Sequence, residues 1–259
     1  MTHQHVLVNV NDHVMSLTLN RPDSLNAFSP DMMDGLKEAF QRAEHDDDIR
    51  AVVLSGAGRS FSAGGDVKGM GAANPVGVYE HIGELNELIQ QMTELGKPII
   101  AAIHGFTAGA GVCLAMACDQ IVASEDSQFV LSFSKVGLIS DGGGLFFLPR
   151  TLGTFRAKEL LFNAEPIDAQ KAQQWGMVNF IYSSDEWHDK AIAYANKLAQ
   201  GPSQAYGFIK KIANRSLTAD LKEILEVERT TQGMVSQSDD HKEGVAAFKD
   251  KRHPHFTGK

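Results

Sequence analysis

Apolar and polar residues alternate along two short segments near the start of the chain, residues 5–10 and residues 13–20. A period of two is typical of half-buried strands, and the polar Asn11-Asp12 pair between the segments indicates a hairpin turn. Ser29-Pro30 then precedes a helical apolar period that extends to about His45. The chain is therefore predicted to begin with a β-β-α unit.

Strand and helix patterns keep alternating beyond this unit. Residues 51–55 and 98–104 are predicted strands, and residues 75–95 and 110–117 are predicted helices. This alternation predicts an α/β fold with a mainly parallel sheet covered by helices.

The pattern changes at about Thr154, after which a strand period occurs only at residues 177–182. We accordingly expect two regions, a core at residues 1–195 and a helical C-terminal region at residues 196–259. Helices are predicted at residues 154–162, 168–174, 185–200, 203–216, 218–235 and 239–249.

Composition narrows the functional classes. The 24 Lys and Arg residues against 32 Asp and Glu give a net charge of −8, which argues against a general nucleic-acid surface. No apolar run reaches the roughly 18–20 residues that span a bilayer, so no membrane partner is expected. The two cysteines, Cys113 and Cys118, lie in one apolar predicted helix, which favours a reducing compartment over a disulfide framework. We expect a cytoplasmic protein.

Two glycine-rich stretches each follow a predicted strand: FSAGGDVK at residues 61–68 and HGFTAGAGVCLA at residues 104–115. Glycine permits a close approach of backbone to ligand, and a helix start adds unpaired N–H groups. Together the stretches predict two backbone donors for one oxyanion, such as a polarised carbonyl oxygen. A dinucleotide loop is the alternative, but HGFTAGAG lacks a GxGxxG pattern.

Four stretches in order resemble the enoyl-CoA hydratase/isomerase family, also called the crotonase family. They are LNRPDSLNAFS at residues 19–29, GAGRSFSAGGDVKGM at 56–70, KPIIAAIHGFTAGAGVCLAMACD at 97–119 and EGVAAFKDKRHPHF at 243–256. The resemblance implies a spiral of β-β-α units with a helical C-terminal region that serves trimerisation and covers the active site. It also implies an acyl-CoA thioester substrate, no separate cofactor, no metal, and a homo-oligomer, either a trimer or a dimer of trimers.

The resemblance also implies functional residues. The oxyanion donors would be the backbone N–H groups of Gly65 and Ala110. An apolar acyl pocket would include Phe133 and Leu138, although these are equally good core residues. Contacts with CoA would come from Ser24, Leu25, Ala27, Ala63, Asp66, Val67 and Lys68, and from Phe248 and Lys251, for which a solvated helix end is the alternative.

The acidic residues distinguish the reactions of this family. Hydratases of the family use two glutamates to activate water, and the corresponding positions here are Cys113 and Phe133. Neither side chain offers an oxygen base, which puts the usual hydration mechanism in doubt. Asp141 aligns instead with the acid of the family's Δ3,Δ2-enoyl-CoA isomerases and related ring isomerases, where one carboxylate can remove a proton and return it two carbons away. We expect apolar neighbours to raise its pKa by desolvation, namely Leu138, Ile139, Leu145, Phe146 and Phe147.

Four alternatives stay open. Asp141 would also suit the N-cap of a helix that follows it. The chain could hydrate enoyl-CoA by an atypical mechanism, or use Asp141 as a nucleophile with His81 in dehalogenation, which is rare in the family. It could also be a non-catalytic subunit that binds CoA thioesters. Isomerisation with Asp141 as proton carrier is the leading interpretation.

Overall fold

The first two strands form an antiparallel hairpin, as predicted. β1 (Val6–Asn11) pairs with β2 (Val14–Leu19), and the turn residues Asp12 and His13 have positive φ values of 47° and 66°. The helix α1 (Pro30–His45) follows, and the Ser29 hydroxyl accepts a hydrogen bond from the Met32 N–H at 3.2 Å as its N-cap. The predicted β-β-α unit is confirmed.

The computed structural model describes residues 3–66 and 74–259. Strands and helices alternate in the first two thirds of the chain, and helices follow one another in the last part. The remaining elements are β3 (Ala51–Gly56), β4 (Ser60–Ser62), α2 (Pro75–Glu94), β5 (Ile99–Ile103), β6 (Phe106–Ala108), α3 (Ala110–Met116), β7 (Gln120–Ser124), β8 (Gln128–Val130), α4 (Gly144–Leu152), α5 (Thr154–Asn163), β9 (Ile167–Asp168), α6 (Ala169–Gln174), β10 (Phe180–Tyr182), α7 (Trp187–Ala199), α8 (Ser203–Ser216), α9 (Leu221–Val235) and α10 (Asp239–Asp250).

A six-stranded sheet organises the core, in the order β1-β2-β3-β5-β7-β10. Every pairing after the β1–β2 hairpin is parallel, which confirms the predicted mainly parallel sheet. Helices cover both faces: α1, α2 and α3 contribute to the larger apolar cluster, and Ala191, Ala195 and Ala199 of α7 pack on the opposite face. Parallel strands buried on both faces explain the continuous apolar runs in the sequence.

A second, smaller sheet has the order β4-β6-β8-β9. Its strands contain two or three residues each, too few for a period of two to be visible in the sequence, and none was predicted. The parallel β4–β6 and β6–β8 pairings are important for the site, since they carry the two glycine-rich stretches side by side.

The last part of the chain is helical, as predicted. α8 packs against α9 and against α2 of the core. The expected boundary at residues 195 and 196 falls within α7, and the division of the chain into two regions stays a prediction. Across residues 3–66 and 74–259, no helix combines the length and the apolar character needed to cross a membrane.

Candidate functional site

The two glycine-rich stretches meet backbone to backbone. A Cβ on Gly64, whose φ is +79°, would lie 2.7 Å from the Ala110 nitrogen and 2.9 Å from the Gly111 nitrogen. A Cβ on Gly111 would lie 2.7 Å from the carbonyl oxygen of Ser62. Only glycine fits at either position, and the close approach brings the segment before Gly65 against the start of α3. Ala110 is the first residue of α3, so its N–H has no acceptor within that helix.

The segment between Ser24 and Ala27 is bonded to the first glycine stretch. The Ala63 N–H donates to the Leu25 carbonyl at 2.8 Å, and the Phe28 N–H donates to the Gly64 carbonyl at 2.7 Å. The Ser24 carbonyl accepts a hydrogen bond from the Ala27 N–H at 3.0 Å within the turn. The structure therefore gathers four of the predicted CoA contacts, Ser24, Leu25, Ala27 and Ala63, beside the glycine stretch.

Asn26 holds this arrangement together. Its side chain is fully buried, and its Nδ2 donates to the carbonyl oxygens of Ala57, Ser60 and Phe61 at 2.8, 2.9 and 3.1 Å. Its Oδ1 accepts from the Arg21 N–H at 2.8 Å. The backbone of Asn26 has a φ of 54°, a conformation that asparagine tolerates better than most residues. Sequence reasoning missed Asn26; an asparagine between the apolar residues Leu25 and Ala27 was the available signal.

Ser62 and Arg21 extend the network. The Ser62 hydroxyl donates to the Asn26 carbonyl at 2.8 Å and accepts from the Gly64 N–H at 3.0 Å. Arg21 donates to the Ala27 carbonyl at 2.7 Å, and its guanidinium lies 3.4 Å from Asp66 Oδ2. Asp66, another predicted CoA contact, therefore lies beside the same turn. The predicted contacts Val67 and Lys68 lie outside the described residues.

Cys113 lies one helical turn after Ala110 and faces the loop that contains Asp141. Its Sγ is 3.5 Å from Ser140 Oγ, and a Cβ on Gly144 would lie 2.8 Å from that sulfur. Burial raises the pKa of the Cys113 thiol to about 12, and the neighbouring Asp141 charge contributes to the shift. Cys113 is therefore a neutral thiol packed against the loop and not a general base.

Asp141 is a partly buried carboxyl group with an unpaired oxygen. Its Oδ1 is inaccessible to solvent and accepts no hydrogen bond from any residue that the structure describes. Burial raises its pKa, while its own backbone N–H and the charge of protonated His81 on α2 oppose the shift. A desolvated carboxylate with an unsatisfied oxygen is chemically suited to exchange a proton with a bound ligand.

The alternative of Asp141 as a helix cap is wrong. The N-cap of α4 is Gly143, with a φ of 83° and no side-chain hydrogen bond. Asp141 takes part in this turn through its carbonyl oxygen, which accepts from the Gly144 N–H at 3.0 Å. The three glycines allow the turn to close without help from the carboxylate.

The apolar surroundings expected for Asp141 are partly wrong. Leu138 and Ile139 are 52% and 78% exposed, and Leu145 and Phe146 are also exposed. A run of apolar residues does not reveal which side chains face outward, and here the loop and the first turn of α4 direct four of the five to the surface. Burial of the loop comes instead from Leu85 of α2 and from Cys113, which both approach Gly142.

Phe133 and Leu138, the residues predicted for the acyl pocket, differ in their surroundings. The Phe133 ring is partly buried, and its Cζ lies 3.8 Å from where a Cβ on Gly109 would be, next to the second glycine stretch. Leu138 is more than half exposed. The pocket role of both residues stays a prediction.

Phe248 and Lys251 lie at the end of α10. The Phe248 side chain is 86% exposed and borders a groove with Pro202, Val235 and Phe256, not with the glycine stretches. Lys251 is exposed and ends α10 with a φ of 54°. A contact of these two residues with CoA stays a prediction.

The chain is similar to known proteins over almost its whole length. A family model described as enoyl-CoA hydratase/isomerase matches residues 9–259. The chain is 39% identical to the 1,2-epoxyphenylacetyl-CoA isomerase of Escherichia coli K12, over 99% of both chains. It is 32% identical to the trans-2-decenoyl-(acyl-carrier-protein) isomerase of Streptococcus mutans, over 100% of both. Among solved structures, an enoyl-CoA hydratase from Polaromonas sp. JS666 is 35% identical with a TM-score of 0.94, covering 97% of this chain and 99% of the other.

Proposed function

This chain belongs to the enoyl-CoA hydratase/isomerase family, and from that premise we propose that it isomerises the double bond of an enoyl-CoA thioester with Asp141 as the proton carrier. The observation that carries this proposal is the buried Oδ1 of Asp141, which has no hydrogen-bond partner among the described residues. Its position beside Cys113, one turn from Ala110, supports a reacting carbon between the carboxylate and the oxyanion donors.

In the proposed reaction the thioester oxygen accepts hydrogen bonds from the N–H groups of Gly65 and Ala110. Asp141 removes a proton from the carbon next to the thioester, and the electrons move toward the carbonyl oxygen to give a dienolate. The protonated Asp141 then returns the proton two carbons away. Charge develops on the oxygen only during reaction, so each donor would stabilise the transition state by roughly 3–4 kcal/mol.

Isomerisation is preferred to hydration because of the residues around Asp141. Cys113 is a neutral thiol, and Phe133 carries no acid or base, so neither supports the activation of water. The side chain of Cys113 also packs against Gly142 and Gly144, which leaves little room for a longer glutamate at this position. One carboxylate suffices for a proton shift, and we propose that no cofactor beyond the CoA of the substrate takes part.

We further propose a homo-oligomer, a trimer or a dimer of trimers. Large apolar side chains are exposed on the single chain, including Leu221 at 74% and Leu225 at 53% on α9, and Phe155 at 91% on α5. Exposed apolar surface of this extent is typical of faces that pack against another copy. Light scattering of the purified protein gives the molar mass directly, and a monomeric mass would reject the proposal.

The enzymatic test uses paired 2-enoyl-CoA and 3-enoyl-CoA substrates in deuterated water, with mass spectrometry of the products. We expect an isomerised product, and we expect Asp141→Asn to lower kcat by roughly 10²- to 10⁴-fold. Asp126→Asn is the matched control, because Asp126 is exposed in a turn between β7 and β8. A product heavier by one water and insensitive to Asp141 would identify a hydratase, and binding without turnover would identify a non-catalytic subunit.

A further inference from the structure

Three residues of α3, spaced three positions apart, face three different environments. Ala110 adjoins the glycine stretches, Cys113 packs against the loop at Gly142 and Gly144, and Met116 borders a cleft of about 750 Å³. A helix rises 1.5 Å per residue, so Ala110 and Met116 are separated by about 9 Å along the axis. The candidate reaction site and the cleft therefore lie at opposite ends of one short helix.

Leu85, Cys113 and Gly142 form the wall between these two spaces. A Cβ on Gly142 would lie 3.0 Å from Leu85 Cδ2 and 3.2 Å from the Cβ of Cys113. Leu85 is 5% exposed and Cys113 is 1% exposed. Both side chains therefore pack closely against Gly142, and α2, α3 and the loop meet at this point.

The cleft begins directly behind the wall. Each wall residue has near neighbours in its own element that border the cleft: Asn86 and Ile89 follow Leu85, Met116 and Ala117 follow Cys113, and Gly143 follows Gly142. The cleft contains apolar surface from Ile89, Met116, Phe146 and Phe147, with amides and charged groups from α2, α4 and α8 around it. It is large enough for several methylene groups of an acyl chain.

We propose that Leu85 and Cys113, closing against Gly142, determine substrate specificity by ending the acyl pocket one helical turn from the oxyanion donor Ala110. The inference rests on the proposed function, because it needs a thioester oxygen at the Ala110 N–H. An acyl chain that runs along α3 from that point meets the wall within about 5.4 Å. The enzyme then accepts short or compact acyl groups, and the cleft behind the wall is closed to longer ones.

The size of the effect follows from packing. One methylene too many in a filled apolar pocket changes kcat/KM by roughly 10- to 200-fold. The substitution Leu85→Ala removes the isobutyl end that packs against Gly142. The acyl pocket and the cleft then become one continuous space. We expect it to raise the ratio of kcat/KM for dodecenoyl-CoA over crotonyl-CoA by at least about 10-fold relative to the wild type.

The matched control is Leu88→Ala. Leu88 is fully buried in the same helix, and the three atoms nearest to a Cβ on Gly142 belong to Leu85 and Cys113. The same truncation there creates a cavity without opening the wall, so the chain-length ratio should stay that of the wild type. Leu85→Val is a milder second variant, expected to shift the ratio in the same direction, in case Leu85→Ala does not fold.

Binding of saturated butyryl-CoA and dodecanoyl-CoA, measured by calorimetry, separates this inference from the proposed function. A wild type that binds butyryl-CoA more tightly, with the preference weakened by Leu85→Ala, supports the wall even if no isomerisation is found. Equal binding of both thioesters by the wild type overturns it, as does a folded Leu85→Ala or Leu85→Val whose ratio equals that of Leu88→Ala.

Discussion

The carboxyl groups of Asp119 and Asp141 are both partly buried near α3, and their surroundings differ. Burial raises the pKa of both Asp119 and Asp141. The Oδ2 of Asp119 accepts from the Ile99 N–H at 2.7 Å and from Lys210 Nζ at 2.9 Å. The Oδ1 of Asp141 accepts nothing from the described residues.

The comparison shows why a desolvated carboxylate is not by itself evidence of a catalytic site. Lys210 neutralises Asp119 and also donates to the Met92 and Lys97 carbonyls at 2.8 and 3.3 Å, so the charges of this pair are satisfied internally. Asp141 keeps an acceptor without a donor in the part of the chain that the structure describes, and a ligand could supply one. The missing partner, and not the direction of the pKa shift, distinguishes the two residues.

The largest expected effect comes from removing the partner of Asp119. Lys210→Met should lower the free energy of unfolding by about 3 kcal/mol, because the partly exposed Asp119 carboxylate and the Met92 and Lys97 carbonyls lose their shared charged donor. Urea denaturation measures the change. Lys211→Met is the matched control: Lys211 is exposed, and its loss should change stability by no more than about 0.5 kcal/mol. Equal stability of the two variants would remove the contrast between Asp119 and Asp141.

The second effect tests whether the turn beside the first glycine stretch is held rigidly by Asn26. Asn26→Ala should lower the free energy of unfolding by about 1–3 kcal/mol, since the buried carbonyls of Ala57, Ser60 and Phe61 lose their shared donor. Turnover should also fall, because the same amide fixes the turn beside Gly64. Asn163→Ala, at the exposed end of α5, is the control. An unchanged stability of Asn26→Ala would show that the site region is loosely held.

The difference between Asp119 and Asp141 also shows which features could be predicted from the sequence. The order of long strands and helices follows from periodicity, and the meeting of the glycine stretches follows from motifs that resemble a known family. The pairing of Lys210 with Asp119 joins residues 91 positions apart, and no local pattern encodes it.

Side-chain direction was equally inaccessible from the sequence. Leu85 belongs to an ordinary amphipathic helix, and only the folded chain shows it against Gly142. Leu138 and Ile139 are apolar in sequence, yet they are exposed. Asn26 and Ser62 are short polar residues whose importance comes from three-dimensional contacts with backbone groups.

A smaller effect concerns the stability cost of Asp141 itself. A carboxyl whose pKa is higher in the folded than in the unfolded chain makes the protein less stable as pH rises through the interval between the two values. Asp141→Asn removes this cost, so the variant should be at least as stable as the wild type at pH 7, with the gap closing below pH 3.8, the ordinary aspartate pKa. Thermal unfolding across this pH range measures it. A variant less stable than the wild type at pH 7 would indicate that Asp141 has a structural partner.

The smallest effect is a shift in the pH dependence of turnover. Asp141 must be ionised to remove a proton, so kcat/KM should fall at acid pH along a limb that lies above 3.8, because burial raises the pKa of Asp141. The charge of protonated His81 favours the carboxylate, so His81→Gln should move the limb to higher pH. Cys113 does not contribute, because its pKa of about 12 keeps it neutral. His241→Gln is the control, because His241 lies in the exposed first turn of α10, and it should leave the pH profile unchanged. If His81→Gln also leaves the acid limb unchanged, then His81 on α2 does not influence the candidate proton carrier.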